Sequence, residues 1–142
     1  KSRDGYLLTQ GVYYTDGCGM VMKPKQGERL KRLPVVSGID ADFFVEGSKI
    51  EHQGVLGALS FIRLTAMSPV GLDLDLTKID VSSEGYLVTY THDGGCIRFR
   101  TNFLEQQMQR LRVIFDYARS KQLLVRTVDL SPTKNVPVTF FN

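Results

Sequence analysis

The amino-acid sequence predicts an α+β domain: a largely antiparallel sheet with two main helices packed on one face. Three observations carry this. Strand-like runs occur in groups joined by turn signals, as around Asp93-Gly94-Gly95. Two segments with helical apolar spacing fall between those groups, near residues 52–66 and 103–121. The resulting order is strands, helix, strands, helix, strands, which suits helices laid on an antiparallel sheet better than a parallel βαβ repeat.

Along the chain, Tyr6, Leu7 and Leu8, then Val12, Tyr13 and Tyr14, are β-formers separated by Gly11, and two short strands are expected between residues 6 and 22. Residues 23–32 turn polar and basic, with Pro24 and Gly27 breaking any regular element. Pro34 biases Leu33 away from helix, so residues 33–38 are expected to be extended. Val55, Leu59, Ile62 and Ala66, with Leu56 beside them, recur at helical spacing, weakened by Gly54 and Gly57. Leu72, Leu74 and Leu76 alternate with Asp73, Asp75 and Thr77, the period of a half-buried strand. Residues 86–91 and 96–100 read as a hairpin around Asp93-Gly94-Gly95. The clearest helix follows. Asn102 is expected as N-cap with Glu105 three residues on, and Leu104, Met108, Leu111, Phe115 and Ala118 form one apolar stripe. Strands are expected at residues 123–130 and 136–141.

The chain has 142 residues, one domain by size, with 42% hydrophobic and 23% charged residues, enough to bury a core without staples. A net charge of +3 does not imply an electrostatic grip on nucleic acid. No apolar run reaches the length of a membrane span. The chain opens at Lys1 without an initiating Met, as expected of a piece of a longer protein. Cys18 and Cys96 are too far apart for a CxxC pair; an even count allows one disulfide, and the simpler reading is two separate small apolar side chains.

Little in the chain points to catalysis. His52 lies near a helix start, and His92 sits beside Asp93 in a turn, where neighbours do not orient each other as a catalytic pair does. No nucleophile elbow or phosphate-binding glycine loop occurs. Asp40 with Asp42 and Asp73 with Asp75 are D-x-D pairs, but the second is the wet side of a leucine-alternating strand and the first lacks the ligands of a calcium loop. No metal or cofactor is expected. Lys23, Lys25, Arg29, Lys31 and Arg32 could contact anionic lipid; a solvated loop is the simpler reading. The last strand is more informative. Val136, Val138, Phe140 and Phe141 make it apolar, and Pro137 fits an edge strand with its nitrogen side outward. An apolar edge either ends the core or pairs with another chain.

Three segments together resemble the β-domain of the FtsQ/DivIB cell-division family. Leu33-Pro34-Val35-Val36-Ser37-Gly38 is similar to the LP-x-L-S-G turn before that domain's first helix. Residues 111–117 are similar to its last helix, and Val128-Asp129-Leu130 with residues 131–140 resembles its VDLRY-x-NG-x-AV-x-W ending. Ser131 and Pro132 stand where the family has Arg-Tyr, and Phe140 where Trp is usual. The resemblance implies a non-enzymatic, periplasmic part of a single-pass inner-membrane protein, with a transmembrane helix and a POTRA domain upstream. It also implies binding of FtsB/FtsL-type partners by strand addition to the C-terminal strand. The candidate partner-binding residues are Ser131, Pro132, Asn135, Val136, Pro137, Val138, Thr139, Phe140 and Phe141, with Phe140 or Phe141 as the aromatic anchor. A rival reading is a small-ligand or carbohydrate-binding domain of the cell envelope, with a cleft lined by Tyr6, Tyr13, Tyr14 or Tyr86.

Overall fold

In the computed structural model, residues 7–9, 13–23, 33–68 and 74–142 are described. Nine strands and two helices follow in order: β1 (Leu7–Thr9), β2 (Tyr13–Thr15), β3 (Val21–Met22), β4 (Val35–Ser37), α1 (Gln53–Met67), β5 (Leu76–Asp80), β6 (Tyr86–Thr91), β7 (Cys96–Arg100), α2 (Leu104–Ser120), β8 (Val125–Asp129) and β9 (Val138–Phe140). The strands run across the sheet as β3-β2-β1-β4-β5-β6-β7-β8-β9. Six of them, β4 to β9, make the body; the β1–β3 meander joins it through the pair Leu8–Val35, and β3 is also tied to the chain before α1, the Val21 amide donating to the Ser48 carbonyl at 2.8 Å and the Gly47 amide to the Val21 carbonyl at 2.9 Å. Most neighbours are antiparallel. The parallel contacts are β1–β4, β4–β5 and β7–β8. Two of these follow from the helices: α1 carries the chain from β4 to β5 and α2 from β7 to β8, so each helix is a crossover that returns the strand in the same direction.

Both helices lie on one face, as the alternation of the strands dictates. On β6 and β7, Leu87, Thr89, Ile97 and Phe99 are buried, while the residues between them are only half-buried. The buried set meets Val55, Ala58, Leu59 and Phe61 of α1 and Leu104, Met108 and Leu111 of α2. Phe61 and Phe99 meet ring to ring at 4.6 Å, tilted by 52°, within the range that favours aromatic pairs. The helices match the sequence expectation closely, yet the α1 stripe is rotated. Phe61 and Ala58 are inside, and Ala66 is exposed. Gly54 explains the close seat of α1: a Cβ there would lie 2.8 Å from Val81 Cβ and 2.9 Å from His52 Cε1.

Two local expectations are corrected. The strand expected from the Leu72, Leu74, Leu76 alternation begins only at Leu76 and runs to Asp80, with Ile79 as its fully buried residue. Leu74 is buried ahead of it, and Leu72 and Asp73 lie outside the described residues. Asn102 is not the cap of α2. That place belongs to Phe103, in the left-handed region at φ 56°, with no side-chain cap bond. The turn is held instead by Gln107, 1% exposed. Its Oε1 accepts from the Arg100 amide at 2.8 Å, and its Nε2 donates to the carbonyls of Arg100, Asn102 and Phe103 at 3.0, 2.8 and 3.1 Å. A buried amide side chain is tolerated only when its bonds are made. Gln107→Ala strands those backbone groups, so the domain is expected to lose about 1–3 kcal/mol of unfolding free energy, read from urea titration by circular dichroism. Retention of wild-type stability would mean that water replaces the amide.

Candidate functional site

The C-terminal strand lies at the end of the sheet. Among the described residues β9 pairs with β8 alone, so its other side is an open edge. The direction of its backbone groups follows from two hydrogen bonds. The Asp129 amide donates to the Pro137 carbonyl at 3.0 Å, and the Phe141 amide donates to the Leu124 carbonyl at 2.9 Å. Backbone groups alternate sides along a strand. Residues 137, 139 and 141 therefore turn their polar groups toward β8, and Val136, Val138 and Phe140 turn theirs outward. Pro137 was expected to point its nitrogen outward. It faces β8 instead, where the proline costs β8 one donor and leaves the outer edge complete. The phase is set by the register, in which Val128 stands opposite Val138 and Thr127 opposite Thr139.

The side chains of the segment divide between core and solvent. Val136 and Val138 pack against the core from its margin, and Thr139 is exposed. Thr139 and Thr127 join their hydroxyls in a cross-strand hydrogen bond. Phe140 stands opposite Val125. Phe141 is half-buried beside the β6–β7 turn: its Cζ is 3.7 Å from where a Cβ of Gly94 would sit, and the Arg126 guanidinium lies 5.8 Å from its ring. The loop before β9 is pinned at both ends of its first turn. The Ser131 amide and hydroxyl donate to Asp129 Oδ1 at 3.0 and 2.6 Å, and Arg110 Nη1 donates to the Pro132 carbonyl at 3.0 Å. Asn135 takes a left-handed conformation at φ 57°, which its short polar side chain tolerates. Asp129 and Arg110 thus hold the loop that leads into the edge strand.

The other candidates fall elsewhere. Tyr13 and Tyr14 on β2 are separated from Tyr86 on β6 by β1, β4 and β5, and Tyr6 lies outside the described residues. Tyr13 and Tyr14 therefore do not share a cleft with Tyr86; at about 4.8 Å per strand the two strands stand roughly 19 Å apart. His52 caps α1, its Nδ1 accepting from the Val55 amide at 3.3 Å. Sequence reasoning placed it near the helix start without seeing this role. Asp93 accepts a hydrogen bond from Thr91 rather than from His92, and Asp40 Oδ1 caps a short 3-10 turn by accepting from the Asp42 amide at 3.0 Å. No cluster of three metal-ligating side chains occurs among the described residues. Lys23 is exposed, and Lys25, Arg29, Lys31 and Arg32 lie outside the described residues. Cys18 and Cys96 are both free thiols, Cys18 exposed and Cys96 half-buried. Burial pushes the Cys96 thiol above its ordinary pKa, and Lys78 partly opposes this. Among the described residues no helix is long and apolar enough to cross a membrane.

No protein-family model matches the chain. Among curated proteins, the cell division protein FtsQ of Syntrophotalea carbinolica is 27% identical over 130 residues, which is 89% of this chain and 45% of that relative. The chain thus spans less than half the length of the curated relative it matches. The resemblance read from the residues and this alignment point the same way: the chain is similar, at a distance, to FtsQ.

Proposed function

We propose that this chain is a non-enzymatic scaffold domain of bacterial cell division that binds FtsB/FtsL-type partners by adding a partner strand to β9. The observation that carries the reading is the open outer side of β9, with donors and acceptors at Val136, Val138 and Phe140 and no proline among them. Main-chain hydrogen bonds would supply affinity and the side chains beside them specificity. The distant likeness to FtsQ supports the same direction. In this reading the domain is the periplasmic part of a single-pass inner-membrane protein, and residues 131–141 form the contact segment. Phe140 and Phe141, both half-buried, are the aromatic side chains of this segment.

Strand addition has a specific footprint in hydrogen exchange. With the extracytoplasmic part of the FtsB-type protein of the same organism added, the amides of Val138 and Phe140 are expected to slow strongly. Those of Thr139 and Phe141, already bonded to β8, should change little. The measurement is exchange resolved to single amides by NMR. Equal slowing at all four positions, or none at Val138 and Phe140, contradicts strand addition.

A further inference from the structure

A cavity of about 230 Å³ lies between the last turns of α2 and the sheet, at the end where β9 finishes. Its apolar walls are Ile97 of β7, Phe115 and Ala118 of α2, and Leu123, Leu124 and Val125 at the entry to β8. The way α2 ends shapes the opening. Gln122 is left-handed at φ 58°, its amide donates to the Arg119 carbonyl at 3.2 Å, and the Leu123 amide donates to the Ala118 carbonyl at 2.8 Å. This Schellman arrangement closes the helix and turns Leu123 back toward Ala118. Leu124 is left 66% exposed at the mouth. On the opposite wall Thr91 Oγ1 donates to Asp93 and accepts from the Gly95 amide, so the polar groups there bond to one another.

Size, charge and position together select what enters. The volume is below the roughly 300–1,000 Å³ of small-molecule pockets. It exceeds the roughly 150 Å³ of an apolar cavity that takes up one benzene, so it fits a single large side chain. Charges at the mouth oppose each other: Asp93 and Arg126 are both exposed, and Arg119 is paired with Asp116 at 3.2 Å. Neither sign is favoured there, and the walls behind are apolar, so the entering group is uncharged. Position joins the cavity to the open edge. Phe140 stands opposite Val125, the Phe141 amide donates to the Leu124 carbonyl at 2.9 Å, and the Phe141 ring lies beside Arg126. Phe140, Phe141, Leu123 and Leu124, all partly uncovered, thus lead from the end of β9 to the mouth. Apolar side chains exposed together in this way mark interaction surfaces.

Given strand addition at β9, on which this inference rests, we infer that the cavity takes one large apolar side chain, aromatic or branched aliphatic, of the same partner chain. A strand paired with β9 lies two strand spacings from β8, about 10 Å, a gap that about three extended residues cross. The anchor therefore sits about three residues outside the paired strand, on the side that passes Phe140. Main-chain pairing reads little of the partner's sequence, and a side chain held in a dry pocket beside it supplies the missing selectivity.

The test uses the domain with labelled Ile, Leu and Val methyl groups, followed by NMR. It is titrated with toluene, as the side-chain mimic, and with the extracytoplasmic part of the FtsB-type protein. Both should shift the methyls of Ile97, Leu123, Leu124 and Val125 saturably, and excess toluene should weaken binding of the partner to the wild-type domain. Leu124→Asp changes an exposed position and puts a charge at the mouth. It should keep the wild-type thermal midpoint, lose the toluene response and bind the partner about tenfold more weakly. The Val138 and Phe140 amides should still slow in exchange when that variant is saturated. Slowed amides with unmoved methyls, no competition by toluene, or full affinity in folded Leu124→Asp would overturn the inference and leave strand addition standing. Moved methyls without slowed amides would remove strand addition, and with it the continuity from edge to cavity. Should Leu124→Asp not fold, the toluene competition on the wild-type domain decides by itself.

Discussion

Leu111→Ala is expected to lower the unfolding free energy by about 2–5 kcal/mol, a large part of the total for a domain of this size. Leu111 is fully buried at the middle of α2 and belongs to the one core cluster that joins both helices to the sheet. Truncation removes its burial energy and leaves a cavity, and the surrounding side chains can close it only in part. Phe61 and Phe99 are held against each other across the same core, and Ile97 and Val128 are fixed by their strands. A collapse of the site would have to move the helix. Val113 on the same helix is 68% exposed, so Val113→Ala should change stability by only a few tenths of a kcal/mol. Urea titration of the two variants against wild type is the measurement. Equal effects at the two positions would mean that α2 does not present the Leu111 face to the sheet.

That contrast was legible in the sequence because a helix reports its buried face through a repeating stripe, and Leu104, Met108 and Leu111 keep it for two turns. The start of α2 was not legible. Asn102 and Glu105 have the composition of a capping box, but Gln107 reaches back from the buried side and takes the Asn102 and Phe103 carbonyls. A buried glutamine inside a polar run looks the same in sequence as an exposed one. The shift of β5 has a similar origin. Leu72, Leu74 and Leu76 keep a two-residue period, but pairing with β4 and β6 is fixed at Ile79, which stands between Val36 and Thr89. At the candidate site, composition was enough to locate an apolar edge strand at the C-terminus. The direction in which its amides point was out of reach, because that depends on register with β8, and a shift of one residue exchanges inner and outer sides.

Proline placed along β9 is expected to separate folding from binding one residue at a time. At Thr139, whose amide faces β8, Thr139→Pro removes a ladder bond and the Thr127 hydroxyl contact, so the domain should lose stability or fail to fold. At Phe140, whose amide faces outward, Phe140→Pro should leave the fold in place and block the partner strand. Phe140→Ala removes the same ring but keeps the N–H, so the difference between the two isolates the backbone contribution. Titration calorimetry with the extracytoplasmic part of the FtsB-type partner, on variants whose circular dichroism matches wild type, measures that difference. The account predicts that Phe140→Pro binds at least about tenfold more weakly than Phe140→Ala, or about 1.4 kcal/mol. Equal affinities for the two folded variants would contradict it, because the partner would then be reading side chains and not the open backbone of β9.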